Sequence, residues 1–367
     1  MNDSMIEQTA ARLFGDHVNR ALLERFEQGE KPQRLWQLVV ENGLDLALAP
    51  EAAGGIGASW SEAYPILRAL GYHQVPLPLA ETMIAALMLG KAGIEMAAGP
   101  IALIDEGRDN SIKHTGTAGA TMLNGSARRV AWASECGWAL VALNDGDVCL
   151  VDISEGPTVQ ITRQRNQARE PQDDLRFEGA RVAARAPNPF PALDAPLRSF
   201  GALAKSAMMV GAMEWLLEQS TQYAMDRVQF GRAIGKNQAI QQSLALLAGE
   251  VACARAAALV AAADAPSALA HDCTAALFSI AVAKIRVGEA ATRATSIAHQ
   301  VHGAIGFTYE HALNYATRRL WAWREASGAD AFWAEQLGRA AIAARSGGFW
   351  PAVTQRHFDQ QALRAPR

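Results

Sequence analysis

Two separate stretches of this sequence carry residues that could bind a phosphorylated cofactor. The first contains Arg227, Gln229 and Phe230, followed by Gln238. An arginine guanidinium can bind phosphate oxygens through two parallel hydrogen bonds. The glutamine amides can donate and accept hydrogen bonds, and the phenylalanine ring offers an apolar surface. Each residue alone has an ordinary explanation, because an arginine also serves in surface ion pairs and a glutamine on solvated helix faces.

The second stretch is a glycine-containing turn that follows helix-forming residues over positions 267–299. Its candidate cofactor-binding residues are Gln300, Val301, Gly303, Ala304 and Gly306. Glycine leaves the backbone amides unshielded by a side chain, so such a turn can lie against a phosphate or a flat ring. An ordinary turn between two helices would contain the same glycines, because glycine is enriched where helices end.

Composition and charge exclude several functions. The chain has 367 residues and is 50% apolar, which is enough for a large core and more than one domain. Its formal net charge is −3, so no overall basic field favours binding to nucleic acid or to an anionic membrane. No uninterrupted apolar run reaches the ~18 residues of a membrane span, and the first residues do not form a secretion signal.

The sulfur and imidazole groups do not predict a metal site. The four cysteines are widely spaced without a CxxC pair, and the eight histidines are scattered. We therefore expect no bound metal, reduced and mostly buried thiols, and a cytoplasmic protein with neither a nucleic-acid nor a membrane partner.

The periodicity of the apolar residues divides the chain into three domains. Residues 1–98 have helical spacing that is interrupted at a glycine-rich turn over positions 50–57. Residues 99–186 contain short apolar runs between turn-forming groups, which predicts a β-barrel or sandwich of about six to eight strands. Residues 187–367 begin with a proline-containing linker and continue with a helical apolar stripe, which predicts a four-helix bundle. The predicted fold is mainly α with a β middle domain.

These motifs resemble those of the acyl-CoA dehydrogenase family. Residues 227–231 and 238–241 match its R-x-x-F-G…Q-A-I-Q pattern, and residues 300–308 match Q-x-h-G-x-x-G-F-T. Residues 50–57 match the P-E-x-x-G-G-x-G loop of its N-terminal domain. The three motifs occur in the family's order and the resemblance covers essentially the whole chain, which makes the joint pattern specific.

The resemblance implies a flavoprotein that uses FAD. In the family, the residues corresponding to Arg227, Gln229, Phe230 and Gln238 reach a flavin that a neighbouring subunit mainly binds, so at least a dimer is implied. The turn that begins at Gln300 contacts the ADP half of the same flavin. The implied reaction is α,β-dehydrogenation of an acyl-CoA thioester, with electrons passed to an electron-transfer flavoprotein.

The β domain departs from the family pattern. The T-E-x-x-x-G-S-D-like stretch has no counterpart between residues 101 and 124. The W-I-[TS]-N-like strand aligns with residues 124–133, where the hydroxyl and the tryptophan are displaced or lost. Two interpretations follow: the flavin ring is contacted differently, or this β domain does not hold a flavin.

The catalytic base is missing from both positions where the family carries it. Those positions correspond to Ser327 and to about Gly201 or Ala202, and none of these residues has a carboxylate. The reaction requires a carboxylate whose pKa is raised in an apolar site. Glu325 is the candidate within this chain, if the backbone is shifted. The alternative for Glu325 is a surface ion pair with Arg324 or Arg319.

The region of Trp321, Trp323 and residues 328–330, with the short β domain, resembles the steroid and bile-acid side-chain acyl-CoA dehydrogenases. Members of that branch form α2β2 assemblies. The resemblance to this branch also implies a bulky, branched or steroid-derived acyl group. The chain is then a homodimeric or homotetrameric enzyme, or a base-lacking subunit that completes a sister chain's flavin site. A divergent flavin monooxygenase and an acyl-CoA-binding homologue are the further alternatives.

Overall fold

The computed structural model describes residues 3–107, 110–116, 121–266 and 272–356, and it has the predicted order of a helical, a β and a second helical part. The N-terminal part contains five helices. They are α1 (Asp3–His17), α2 (Arg20–Glu27), α3 (Gln33–Glu41), α4 (Trp60–Tyr72) and α5 (Leu79–Ala92). Helix α4 starts at a capping box, in which Ser59 and Glu62 each satisfy a backbone N–H of the other. The glycine-rich turn before it is the break that the sequence predicts.

The middle part is a seven-stranded sheet in the order β1-β4-β5-β7-β3-β2, with β6 paired to β7. Its strands are β1 (Ile101–Asp105), β2 (Ser111–Thr115), β3 (Met122–Ala131), β4 (Trp138–Ala142), β5 (Asp147–Asp152), β6 (Val159–Thr162) and β7 (Gln172–Pro187). Strands β1 and β4 are parallel. The long strand β7 pairs with β5 near one end and with β3 and β6 near the other, so it joins the two halves of the sheet.

The C-terminal part contains long alanine-rich helices that pack closely. They are α6 (Pro196–Asp226), α7 (Gln238–Asp264), α8 (Thr274–His302), α9 (Leu313–Glu325), α10 (Asp330–Ala343) and α11 (Arg345–Gln355). A two-stranded hairpin of β8 (Val228–Gln229) and β9 (Arg232–Ala233) separates α6 from α7, although the sequence pattern had predicted helix throughout this part. Helix α7 is also long and apolar enough to span a bilayer, on length and composition alone.

A pair of glycines sets the distance between the N-terminal part and helix α6. A Cβ added at Gly71 on α4 would lie 1.7 Å from the carbonyl oxygen of Met208 on α6. A Cβ added at Gly211 on α6 would lie 1.9 Å from the carbonyl oxygen of Arg68 on α4. The backbones of the two helices therefore touch, which no larger residue at either position would permit.

A buried ion pair joins the β part to the second helical part. Arg319 of α9 is fully buried, and its Nε lies 3.2 Å from Oε1 of Glu170, in the loop before β7. Trp323 of α9 donates a hydrogen bond from Nε1 to Oε2 of the same glutamate at 3.1 Å. Burial lowers the pKa of the Arg319 guanidinium, and the nearby Glu170 carboxylate opposes this effect and supplies the counter-charge.

A second acidic residue extends this contact to the first helical part. Glu27 is the last residue of α2, and its side chain is 6% exposed. It forms ion pairs with Arg318 of α9 and, at 3.3 Å, with Arg169 beside Glu170. The three parts of the chain thus meet at one cluster of charged side chains.

Removing one partner of the buried pair should destabilise the protein strongly. We expect Glu170→Gln to lower the free energy of unfolding by about 3–5 kcal/mol, because Arg319 would stay buried without its counter-charge. The matched control is Glu41→Gln, which breaks an ion pair with Arg34 whose side chains are 56% and 67% exposed. The control should cost at most about 1 kcal/mol. Urea unfolding measures both, and equal losses would contradict the role given to Glu170.

Candidate functional site

The first motif lies on the exposed hairpin between α6 and α7. Phe230 and Gly231 both adopt left-handed backbone angles, with φ of 51° and 78°, which is the geometry of a tight two-residue hairpin turn. The Phe230 side chain is 100% exposed. Arg227 and Gln229 are exposed too, and within the described part of the chain Arg227 forms no ion pair. The motif therefore presents an apolar ring and a guanidinium outward.

Polar contacts fix the hairpin to the start of α7. Arg232 donates to Oδ1 of Asn237 at 2.8 Å, and the Gln241 amide donates to the carbonyl oxygen of Gly235 at 2.9 Å. Gln238 is the first residue of α7 and is exposed. It points away from the core at the same end of the helix bundle as the hairpin.

The second motif begins in the last turn of α8 and continues past its end. Gly303 ends the helix with φ of 63° and ψ of −145°, and residues Gly303–Phe307 form a 3-10 turn. Gln300, Gly303 and Ala304 are exposed, whereas Val301 and Gly306 are buried. The turn therefore offers backbone and one amide side chain to a ligand, while Val301 and Gly306 belong to its internal packing.

The structure brings the two predicted motifs to the same end of the bundle. Val301 packs in one cluster with Ala224 near the end of α6 and with Ile234 just after the hairpin. The ring of Tyr223 stacks on His302 with centroids 4.5 Å apart. The hairpin and the turn thus form one surface, which we call the bundle-end surface.

A separate cavity of about 500 Å³ lies between the sheet, the start of α6 and the end of α9. Both family positions for the base, Gly201 and Ser327, line it, as does Glu325. A Cβ added at Gly201 would lie only 2.4 Å from Ser327 Oγ, so the two positions face each other directly. The Ser327 hydroxyl and the Gly201 backbone therefore occupy the space in which a base at either position would lie.

The ion pairs proposed from sequence for Glu325 are wrong. Arg324 binds Oδ2 of Asp330 at 2.7 Å, and Arg319 is buried against Glu170. Glu325 is the exposed last residue of α9 at the edge of the cavity, and in the described part of the chain it forms no ion pair. Its position is compatible with contact to a ligand in the cavity.

Sequence reasoning missed the lysine that holds the wall of this cavity. Lys284 of α8 is fully buried and donates to the carbonyl oxygens of Arg324 and Gly328 at 2.6 and 2.8 Å. Burial lowers its pKa to about 8. The turn between these carbonyls contains Ser327, whose φ of 56° is left-handed. A lysine within a helical run has no motif that could have revealed this role.

Asp105 is a second residue that sequence reasoning missed. It ends β1 and lines the cavity, and its carboxyl group faces the backbone N–H groups of Leu197 and Arg198 in the first turn of α6. The residue before α6 offers no side-chain cap, and the Asp105 carboxyl is the nearby polar group from another element, with its Oδ1 buried and unpaired within the described residues. Burial nevertheless raises its pKa to about 6, against the lowering effect of Arg198 and the two amides.

The β domain faces the cavity with side chains that differ from the family pattern. Arg128 and Arg129 of β3 line the cavity. Trp132, the tryptophan that the alignment showed as displaced, is 3% exposed and packs against Phe26, in the lining of a different pocket. The Trp132 ring is therefore unavailable to a flavin in the first cavity.

The residues that fit FAD are those of the bundle-end surface, where an exposed guanidinium and a glycine turn suit phosphate groups.

Comparison with known proteins agrees with this fold. Residues 2–97 match the model for the acyl-CoA dehydrogenase N-terminal domain, and residues 199–342 match the model for the C-terminal domain. This chain belongs to the acyl-CoA dehydrogenase family, whose cofactor is FAD.

The curated relatives include two mycobacterial proteins named acyl-CoA dehydrogenase IpdE2. The one from Mycolicibacterium smegmatis is 29% identical over 328 residues, which is 86% of this chain and 91% of the relative. The one from Mycobacterium tuberculosis is 27% identical over 322 residues, or 86% of this chain and 89% of the relative.

Among solved structures, the ChsE4-ChsE5 complex from Mycobacterium tuberculosis matches with a TM-score of 0.81. The identity is 23%, and the match covers 94% of this chain and 98% of that one. PigA with FAD and proline matches with a TM-score of 0.78 and 18% identity, over 95% and 98% of the two chains. At these identities the likeness shows the fold.

The Asp105 carboxyl should make stability depend on pH. Its folded pKa of about 6 exceeds the ordinary 3.8, so the folded state holds its proton more tightly and stability falls as pH rises from about 4 to about 6. Asp105→Asn keeps a capping oxygen without the charge. We expect the variant to be more stable than the wild type by on the order of 1–3 kcal/mol at pH 8 and equally stable below pH 4. Thermal unfolding across this pH range measures the difference in stability between the two proteins. A difference that does not change with pH would contradict the raised pKa of Asp105.

Proposed function

We propose that this chain takes part in FAD-dependent α,β-dehydrogenation of a bulky, branched or steroid-derived acyl-CoA thioester. In this proposal it is the base-lacking subunit of a heteromeric enzyme, and it completes a flavin site whose catalytic carboxylate a sister chain carries. The observation that carries the proposal is the contrast between its two candidate regions. The bundle-end surface keeps the residues that match the flavin-binding motifs, whereas Gly201 and Ser327 place no carboxylate at either position where the family carries its base.

The length of α6 separates these two regions within one chain. Gly201 lies near the start of this helix and Arg227 follows its end. At 1.5 Å per residue, the two positions are about 40 Å apart. That separation exceeds the length of an extended FAD, so Arg227 serves a flavin whose ring lies in another chain's cavity.

Exposed apolar groups supply the contact surface for the other chain. Helix α7 buries Leu247, Val251 and Ala258 against its neighbours, while Leu246 is 66% exposed, and Leu259 and Val260 are each 42% exposed. We propose that a sister subunit covers these side chains and the Phe230 ring in a cytoplasmic α2β2 assembly. This contact also explains why α7 is as apolar as a membrane-spanning helix.

The chemistry divides accordingly between the two chains. FAD, when bound, accepts the hydride that leaves the β-carbon, and an electron-transfer flavoprotein takes up the electrons. Arg227 would hold phosphate oxygens of the cofactor, and the turn at Gly303 would bind its ADP half. The α-proton goes to a carboxylate of the sister chain. This chain therefore binds and orients the cofactor, and it does not take up the α-proton.

Purification alone and with a sister chain tests this proposal. We expect the chain alone to be colourless or partly loaded with flavin, and a co-expressed family member that carries the glutamate to restore the flavin band in an α2β2 complex. Visible absorbance and light scattering measure both properties. A homotetramer with one flavin per chain, bleached by substrate without any partner, would contradict it.

Arg227 should contribute directly to flavin affinity. Arg227→Ala removes a charged phosphate contact worth about 1.5–3 kcal/mol, so we expect FAD to bind roughly 10- to 150-fold more weakly to the assembled enzyme. Arg232→Ala is the matched control, because it removes an arginine of the same hairpin that binds Asn237 within the chain. Flavin titration compares the two variants. Equal occupancy in both would count against the role of Arg227.

A self-sufficient enzyme with Glu325 as its base is the second candidate, favoured by the position of this carboxylate at the cavity without an ion pair in the described residues. The heteromeric proposal predicts that Glu325→Gln leaves the rate of flavin bleaching by substrate within a few-fold of wild type. Anaerobic stopped-flow absorbance measures that rate. Its abolition would show that Glu325 is the base and would make the second candidate correct.

A further inference from the structure

A second cleft, of about 370 Å³, lies between the N-terminal helices and the sheet. Its walls come from the end of α2, the start of α3, the segment before α5 and the turn after β3. The lining includes three aromatic rings, those of Phe26, Trp36 and Trp132, and four prolines from the neighbouring loops. A concave site of this size with mainly apolar walls and a few polar groups is typical of a small-molecule site.

The cleft is separate from the first cavity, with which it shares no described lining residue. Residues 76–78 line the cleft just before α5 begins at Leu79. In the first turn of α5, Glu81 accepts a hydrogen bond from Nζ of Lys205 at 2.8 Å, and this Glu81–Lys205 pair belongs to the wall of the first cavity. Both spaces therefore adjoin the start of α5, but their walls are different.

The Trp132 side chain lines the cleft and carries an unused hydrogen-bond donor. Its ring packs against Phe26 with centroids 5.8 Å apart, and the residue is only 3% exposed. The indole Nε1–H has no hydrogen-bond partner within the described part of the chain. Unlike Nε1 of Trp60, which is fully enclosed, this atom keeps some accessible surface, and Trp132 turns it towards the cleft that it lines. A buried donor without a partner costs free energy until an acceptor reaches it.

The backbone at Trp132 adopts an unfavourable conformation that directs this ring. Its φ of 62° and ψ of 11° are left-handed, which is an outlier for a bulky side chain. The backbone N–H of Trp132 donates to the carbonyl oxygen of Pro171 at 3.0 Å and so helps to hold the residue there. Strain of this kind persists only where surrounding contacts enforce it, and it is concentrated at functional sites. The strained backbone and the unpaired donor belong to the same residue of the cleft.

The charged groups of the cleft are already paired. Lys31 and Glu135 form an ion pair at 3.0 Å, with side chains that are 55% and 25% exposed. A charged ligand would have to break this pair to find a counter-charge in the cleft. The prolines have no backbone N–H, and the amides of Gln33 and Gln37 belong to exposed residues. The Trp132 indole is therefore the buried donor that an oxygen atom of a ligand would meet.

We propose that this cleft is a binding site for a neutral, flat, apolar molecule with a carbonyl oxygen that accepts a hydrogen bond from Nε1 of Trp132. The rings of Phe26 and Trp36 and the neighbouring prolines cover the apolar faces of this ligand. The ligand needs neither a thioester nor a flavin. The inference therefore goes beyond the proposed function and does not depend on it.

Imperfect packing between the N-terminal helices and the sheet is the competing explanation of the cleft. Such a packing defect would accept apolar molecules whether or not they carry a carbonyl group. It does not account for the unpaired donor on the strained Trp132. A comparison of ligands that differ only in the carbonyl oxygen separates the two explanations.

The test is displacement of a fluorescent probe from the purified full-length protein. The probe is PRODAN, a neutral naphthalene ketone whose emission moves to shorter wavelength when it leaves water. The competitors are 2-acetylnaphthalene, 2-ethylnaphthalene, which has a similar shape without the oxygen, and the charged 2-naphthoate. We expect the ketone to displace PRODAN at a roughly 3- to 10-fold lower concentration than the ethyl compound, because it makes one more hydrogen bond. The naphthoate should be the weakest competitor.

The variant for this test is Trp132→Phe, which removes the donor and keeps an aromatic ring. We expect it to bind PRODAN and to lose the preference for the ketone over the ethyl compound. Trp350→Phe is the matched control, because Trp350 of α11 is 70% exposed and does not line the cleft. The control should keep the preference. A Trp132→Phe variant that also keeps it would overturn the inference.

The wild-type protein decides the question even if Trp132→Phe fails to fold. Absence of saturable PRODAN binding, or equal displacement by the ketone and the ethyl compound, would overturn the inference. Octanoyl-CoA represents the thioester class of the proposed function and should not displace the probe. Displacement by octanoyl-CoA would place the probe outside the cleft and would overturn the inference too. Flavin loading and bleaching do not enter these measurements, so the proposed function can fail without changing their outcome.

Discussion

The ion pair between Glu170 and Arg319 is the interaction on which the cavity wall depends. A fully buried guanidinium without a carboxylate would be an uncompensated charge, so the loop before β7 stays against α9. Helix α9 leads directly into the turn that contains Ser327, and Lys284 holds the carbonyl groups of that turn. Directional charged contacts, rather than apolar packing alone, therefore fix the cavity wall. These charges are paired only when the sheet and the helices adopt this arrangement.

Helix α6 connects the candidate regions without mixing their functions. Its start contributes Gly201 and Lys205 to the cavity, and its end leads into the hairpin with Arg227. A rigid helix of this length transmits position but cannot bring its ends together. In the proposed assembly, the two ends of this helix serve different active sites. The exposed apolar side chains of α7 belong to the same bundle.

The sequence predicted the features that local backbone geometry imposes. The helix end at Gly303 needs glycine at a fixed place, so the motif revealed it. The hairpin turn at Phe230 and Gly231 was not predicted, because the apolar periodicity indicated helix throughout that part. The three-part order followed from apolar periodicity. The Glu81–Lys205 pair could not be predicted, because it joins residues 124 positions apart and leaves no periodic signal. The interpretation of Glu325 as an ion-pair partner failed for the same reason, since tertiary contacts had already engaged both arginines.

The reciprocal contact of Gly71 and Gly211 limits how this protein can diverge. With α4 and α6 in backbone contact, the first helical part cannot slide along α6 to enlarge or reshape the cavity, because any added methyl group would collide with a carbonyl oxygen. A change of ligand must therefore come from substitutions in the lining itself, one side chain at a time. The helical scaffold therefore stays constant, and a few side chains that line the cavity determine which ligand it binds.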